Sequence, residues 1–198
     1  MKKLLKRAGI IFVFAFMALV VYRGIFYVIP KERTDVQVEK IHATRLSLVD
    51  VMGKNLPPVP ANPDATVAGV DANNNGIRDD VELAIFKEYP NSAKTRAVLL
   101  QYALALQMEM TQTRVNKGTV TAVAEDSGRA HLCVGEITSR NDMDRFISIT
   151  KGFYSFIEDK QWNTEARKKA HKDFYIGNLG SYSSPEEICD LDITSLPN

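Results

Sequence analysis

Residues 71–82 place oxygen-bearing side chains at regular intervals. Their sequence, DANNNGIRDDVE, has Asp or Asn at the first, third and fifth positions, Gly at the sixth and Glu at the twelfth. Oxygens at alternating positions converge only if the chain turns sharply after them, and Gly76 permits such a turn. Calcium takes six to eight oxygen ligands, which include carboxylate, amide and backbone carbonyl oxygens. The spacing therefore predicts one calcium site.

The predicted ligands all offer an oxygen atom toward the turn. They are the side chains of Asp71, Asn73, Asn75, Asp79 and Glu82 and the backbone carbonyl of Ile77. Asp79 would bind directly or through a water molecule, and Glu82 would close the site with both carboxylate oxygens. With three acids among five side chains, we expect a modest affinity, on the order of 10⁻⁵–10⁻³ M, and a structural role. The alternative is an Asn-rich turn that only caps a helix.

This segment resembles the calcium loop of EF-hand proteins, over about 12 of the 198 residues. It is also similar to the thrombospondin type 3 calcium repeats, and to single segments that follow a proline-rich stretch in uncharacterised exported bacterial proteins. The resemblance implies a metal and an exported location, but no activity. Two features depart from the EF-hand pattern: Arg78 replaces a branched aliphatic residue, and prolines precede the loop in place of a helix. The missing second loop argues against a cooperative calcium sensor.

The N-terminal 30 residues have the pattern of a membrane segment. Residues 1–7 are basic, and residues 8–29, 22 in number, carry no charge except Arg23. That length spans a bilayer core of ~30 Å, and Arg23 lies near one end, where it can reach the headgroups. The candidate cleavage sites are poor, so we expect an uncleaved anchor; a cleaved signal peptide is the alternative. The positive-inside rule then predicts a cytoplasmic N terminus and a bacterial inner-membrane protein whose body, residues 31–198, is periplasmic.

The net charge of +1 averages two unlike parts. Residues 1–30 hold five basic residues and no acid, which leaves 20 basic and 24 acidic residues in the body. A body with net charge −4 and no basic stripe argues against nucleic acid as a partner.

Two cysteines, Cys133 and Cys189, are separated by 56 residues. In an oxidising compartment an even pair predicts a disulfide, and two buried free thiols are the alternative.

The hydrophobic pattern of the body predicts an all-α fold, a small helical bundle behind the transmembrane helix. The predicted helices run from Asp79 to Pro90, from Asn91 or Ser92 to Lys117, over Thr119–Ile137, over Met143–Ile157 and over about Thr164–Tyr175. The second is expected at the centre of the core because its apolar residues are dense. A further short helix could lie within residues 36–52. Ser184 and Glu187 fit a capping box, which predicts a last turn that carries Cys189.

Three regions follow from this pattern. Residues 1–30 form the anchor, residues 31–70 a juxtamembrane segment ending in a proline-rich strap, and residues 71–198 the helical domain that begins with the calcium loop. Proline at positions 57, 58, 60 and 63 denies regular structure to the strap.

Two classes of function remain open. The three histidines are scattered without metal-ligand spacing, His171 is expected on a solvated face, and neither a nucleophile elbow nor a phosphate loop occurs. A non-enzymatic module that binds a periplasmic protein partner is therefore preferred. The alternative is a hydrolase of envelope material whose pair of carboxylates is assembled by the fold, roughly 5–9.5 Å apart.

Overall fold

The computed structural model describes residues 2–176, 179–182 and 187–198. These residues form seven α-helices and no strand, which confirms the all-α prediction. The helices are α1 (Lys2–Ala43), α2 (Leu48–Val51), α3 (Asp79–Glu88), α4 (Ala93–Thr111), α5 (Lys117–Gly135), α6 (Met143–Gln161) and α7 (Glu165–Phe174). A 3₁₀ turn follows at Ile193–Ser195.

The first helix, α1, is 42 residues long and continues through Pro30. Its window Gly9–Phe26 has a mean hydropathy of 2.2 and no buried residue, so it is long and apolar enough to cross a membrane or to act as a signal anchor. The region in which a short helix was expected, residues 36–52, holds the end of α1, which extends to Ala43, and the separate short helix α2 at Leu48–Val51. A proline inside a helix removes one backbone hydrogen bond, which packing of the flanking turns can offset.

The C-terminal part of α1 packs against the bundle. Ile41 is fully buried, and Gln37 Nε2 donates to Gln112 Oε1 at 2.9 Å. Further along, His42 Nδ1 lies 3.4 Å from Asp126 Oδ2 on α5. The same rigid element therefore carries the apolar window and one wall of the folded body.

The fourth helix, α4, lies at the centre of the bundle, as its apolar density predicted. Sixteen of its 19 residues are buried, because α3, α5, α6 and α7 all pack around it. It begins at the predicted cap, where Ser92 Oγ accepts a hydrogen bond from Thr95 N at 3.1 Å. The core of the protein is thus built around one helix that is buried on every side and carries a few buried polar residues, such as Gln101, Gln107 and Glu109, among its apolar ones.

The predicted stripe along α6 is buried over only half its length. Thr150 and Ile157 are buried, whereas Met143 and Ile147 are 53% and 52% exposed. The N-terminal half of α6 lies beside the end of α5, where a Cβ at Gly135 would be 3.3 Å from Phe146 Cζ. The outer end of the bundle therefore displays apolar side chains to solvent.

A disulfide joins Cys133 on α5 to Cys189 in the C-terminal tail, with 5.1 Å between the Cα atoms, as predicted. The predicted last turn around Cys189 is not helical; the tail turns only at Ile193–Ser195. Ser184, one half of the predicted capping box, lies outside the described residues. The tail is held by Asp190 instead, whose backbone N–H donates to Gln101 Oε1 at 2.9 Å.

Candidate metal-binding loop

The turn at the centre of the 71–82 loop has the shape that its sequence predicts. Asp71 accepts hydrogen bonds from the backbone N–H groups of Asn75 and Gly76, at 3.1 and 2.9 Å. Gly76 has φ +84°, and a Cβ at that position would lie 2.7 Å from Leu104 Cδ1. Only glycine fits both the left-handed backbone and the close approach to α4.

Glu82 lies in the first turn of α3 and is fully buried. Its Oε2 atom accepts hydrogen bonds from the side-chain amides of Asn73 and Asn75, at 3.0 and 3.1 Å. Its Oε1 atom is buried without a hydrogen-bond partner. The structure therefore brings three of the predicted ligands together, with amide N–H groups facing the carboxylate.

Asp79, the first residue of α3, is also fully buried. Its Oδ1 accepts a hydrogen bond from Ala72 N at 3.0 Å, while its Oδ2 has no partner. Because Asp79 and Glu82 are three residues apart in a helix, their side chains lie on neighbouring parts of one face. Two buried carboxylates thus each keep one oxygen atom without a hydrogen bond.

The electrostatics of this pair follow from burial. Loss of solvent is the main reason that the pKa of Glu82 is raised to about 7, and the negative charges of Asp50 and Asp79 act in the same direction. The two amide hydrogen bonds act in the opposite direction and lower this pKa. Burial also raises the pKa of Asp79, with Asp71 and Asp80 adding repulsion. Burial and neighbouring carboxylates act in the same direction on both acids, so their charged forms are costly unless a cation offsets them.

A bound cation could take its ligands from this set. Exchanging oxygen for nitrogen at the amides of Asn73 and Asn75 would turn two donors into two acceptors beside Glu82. Ile77 packs its side chain into the main core, and its backbone N–H donates to Asn75 Oδ1 at 2.9 Å. Within the described part of the chain, no three acidic, histidine or cysteine side chains converge as metal ligands. A calcium ion at this loop would therefore need a mixed set of ligands, with amide and carbonyl oxygens beside the acids.

Arg78 was noted in the sequence only as a departure from the EF-hand pattern, yet it is fully buried and strongly bound. Its guanidinium pairs with Asp80 at 2.5 Å and donates to the carbonyl oxygens of Lys160 and Gln161 at 3.2 and 3.3 Å. Those carbonyls end α6, where backbone acceptors have no helical partner. Arg78 therefore ties the loop to α6. The one sequence signal for this role is the acid two residues later.

The proline-rich segment, residues 53–70, is held by a second buried arginine that sequence reasoning missed. Arg167 on α7 donates to the carbonyl oxygens of Pro63, Thr66 and Val67 at 2.6, 3.1 and 3.1 Å. Gln107 on α4 donates to Ala68 O at 2.7 Å. A segment without regular structure needs such partners for its buried carbonyls.

A buried ionic cluster joins α1, α5 and the C-terminal tail. Arg129 binds Asp126 at 3.1 Å and Asp190 at 2.8 Å, and Arg45 lies 3.4 Å from Asp126 and 3.1 Å from Asp190. Both acids have side chains only 3% exposed. This is a carboxylate pair that the fold assembles, but two arginines occupy the space beside it, so it does not form the cleft that the hydrolase hypothesis requires.

His171 is not on a solvated face, contrary to expectation. Its Nδ1 lies 2.7 Å from Glu109 Oε2, and its ring packs against Trp162 with 4.3 Å between centroids. Glu109 also accepts hydrogen bonds from the Ser127 and Tyr175 hydroxyls, at 2.5 and 2.7 Å. Because Ser127 is bonded to the carboxylate and not to the imidazole, the group ties three helices together and does not form a nucleophilic triad.

No protein-family model, curated protein or solved structure matches this chain.

Proposed function

We propose that this protein is a membrane-anchored helical module that binds calcium and a protein partner at the outer face of the bacterial inner membrane. One observation carries the calcium part: Asp79 Oδ2 and Glu82 Oε1 are buried without hydrogen bonds, inside a segment whose spacing matches a calcium loop at every required position. A turn that only caps a helix has no need for two buried acids. A cation explains both.

Calcium would supply the positive charge that offsets these carboxylates. Asp71, Asn73, Asn75, Ile77, Asp79 and Glu82 would hold it. The loop connects the proline-rich segment to α3, and Arg78 connects it to α6. Binding would therefore stabilise the contacts between these parts of the body, and the role of the ion is structural.

The test is calorimetric titration of the full chain in detergent with calcium, compared with Glu82→Gln. We expect saturable heat for the wild type and a much weaker response for the variant. Glu88→Gln is the matched control, because Glu88 lies on the same helix but is exposed. Flat traces for the wild type would overturn the calcium proposal.

The location rests on the sequence of α1 and on the disulfide. A basic leader before an apolar helix favours a cytoplasmic N terminus, and a disulfide is typical of a compartment outside the cytoplasm. Protease added to spheroplasts should digest residues 31–198, and an alkaline wash should leave the chain in the membrane. Release by the wash in a shortened form would instead support a cleaved signal peptide.

The partner-binding part is supported by the outer end of the bundle. Leu132 on α5 and Met143 and Ile147 on α6 are 44%, 53% and 52% exposed. Large apolar side chains grouped at one end of a soluble body are typical of protein interfaces. In-cell crosslinking should give one adduct that Ile147→Asp abolishes and Lys151→Asp, four residues later on α6, does not. Identical patterns for the two variants would contradict this surface.

A further inference from the structure

The membrane-spanning window and the folded body are joined at a fixed distance. The window ends at Phe26, and the Asn116 side-chain amide donates to the Thr34 hydroxyl on the same helix. Eight residues of α-helix separate Phe26 from Thr34, which is about 12 Å. Since α1 is continuous from Lys2 to Ala43, no hinge of irregular structure lies between them.

That distance exceeds the thickness of one headgroup layer by only a few ångströms. A bilayer is ~40–45 Å thick with a hydrocarbon core of ~30 Å, so each headgroup layer is roughly 5–8 Å. The loop before α5 therefore lies within a few ångströms of the membrane surface when the window spans the core. Helix α5 begins here and runs away from the membrane, since Asn116 meets Thr34 and Asp126 meets His42.

The chemistry of this loop suits a lipid interface. Residues 113–118 are all exposed, and Val115 at the tip is 41% exposed. Lys117, Lys31 and Asp35 line one groove with Phe26, the last residue of the window, so two positive charges there face one negative charge. Arg114 is already occupied by the carbonyl oxygen of Asp173, at 2.5 Å. An exposed apolar residue beside a groove of net positive charge is typical of segments that bind anionic membrane surfaces.

We propose that the membrane-facing loop, residues 112–118, is a second membrane contact. Val115 enters the headgroup layer, and Lys117 and Lys31 bind the phosphate groups of anionic phospholipids. This inference rests on the proposed anchor, because it uses the membrane position of α1. It adds that the body sits on the membrane surface.

The test uses the full chain reconstituted in vesicles of phosphatidylcholine with phosphatidylglycerol. An environment-sensitive fluorophore is attached at Val115→Cys or at Leu132→Cys; the native cysteines are paired and do not react. Leu132 is the matched control: it is 44% exposed but lies fifteen residues beyond Lys117 on α5, about 22 Å further from the membrane. Spin-labelled headgroups should quench the label at position 115 several-fold more strongly than at position 132.

Equal quenching at the two positions would overturn the inference. Retention in the membrane after an alkaline wash tests the anchor separately. Protein that stays in the membrane is anchored, whether or not the loop touches lipid.

A charge variant tests the lysine contact with phosphate on its own. Lys117→Glu should reduce quenching at position 115 in vesicles with phosphatidylglycerol, and Lys151→Glu on α6 should not; equal quenching for both would remove the lysine contact with phosphate.

Discussion

Arg167 Nη2 lies 2.6 Å from the carbonyl oxygen of Pro63, although 104 residues separate the two along the chain. The guanidinium is fully buried and also binds Thr66 O and Val67 O. One side chain therefore adds three hydrogen bonds to a proline-rich segment that makes only a few backbone hydrogen bonds of its own, such as Gly69 N to Thr66 O. The fold of residues 53–70 depends on a residue of α7.

Replacing that arginine should weaken the whole body. Arg167→Met keeps much of the volume but removes the donor to Pro63 O and Val67 O and the ion pair with Asp64, whereas Thr66 O keeps its bond from Gly69 N. We expect a cost of about 3 kcal/mol in the free energy of unfolding. Urea unfolding followed by circular dichroism measures the loss. The control is Arg140→Met, because Arg140 forms an exposed pair with Glu136 and should change stability by less than about 1 kcal/mol. Equal effects of the two variants would contradict this role.

The calcium proposal predicts opposite effects of Asp79→Asn in two conditions. In chelator the variant should be more stable than the wild type by about 1 kcal/mol, because an uncompensated buried charge is removed while the hydrogen bond from Ala72 N can remain. With calcium at ~100 times the dissociation constant, the wild type should gain about 2.7 kcal/mol and the variant much less. Thermal melts with and without chelator measure both, with Glu88→Gln expected to behave as the wild type. A variant that is less stable in both conditions would oppose the proposal.

Loss of the disulfide should lower the free energy of unfolding, because the unfolded chain then gains conformational freedom. Closing a loop with a sequence separation of 56 residues stabilises by about 4 kcal/mol in the chain-entropy model. The double variant Cys133→Ser, Cys189→Ser should therefore unfold at a markedly lower urea concentration. Reductant should lower the midpoint of the wild type and leave the double variant unchanged. A wild-type midpoint insensitive to complete reduction would refute this.

The ionic cluster predicts a pH dependence of stability. Burial raises the pKa of Asp126 from 3.8 to about 6, against the charges of Arg45 and His42, which lower it. The folded state then binds more protons than the unfolded state between these values, so the free energy of unfolding falls as the pH rises from about 4 to about 6. Relative to Asp126→Asn, the wild type should lose about 1–3 kcal/mol across this window.

Unfolding at a series of pH values measures that slope, and Glu125→Gln on the same helix is the control. The comparison concerns the slope, since Asp126→Asn also changes the pairing of Arg129 at every pH. A wild-type curve parallel to that of Asp126→Asn would show that Asp126 does not titrate in this range.

The helices and the turn of the loop could be predicted because their signals are local. Apolar density located α4 at the centre, Ser92 marked its start, and Gly76 marked the left-handed turn. Cysteine number and compartment were enough for the disulfide. Each of these depends on residues within a few positions or on a simple count.

The long-range polar contacts could not be predicted in the same way. Arg78, Arg167 and Arg129 are ordinary charged residues in sequence, and each is buried only because carbonyls or acids tens of residues away meet it. His171 shows the same limit, since its lysine neighbours indicated solvent while Glu109 on another helix binds it. Polar contacts that depend on tertiary packing produce no periodic pattern in the sequence.

In the proposed anchored protein, the unbroken length of α1 would fix how far the body is rotated about the axis of α1 relative to the spanning segment. Each helical residue turns the chain by about 100°, so one residue inserted between Lys31 and Thr34 would swing the bundle by that angle around the axis of α1. The loop at Val115 would stay at nearly the same height above the proposed membrane surface, about 1.5 Å further out, while the loop and the apolar outer end of the bundle would both face a new direction. In a continuous helix, the number of residues between the spanning segment and the body therefore sets the orientation of the body as well as its distance from the membrane.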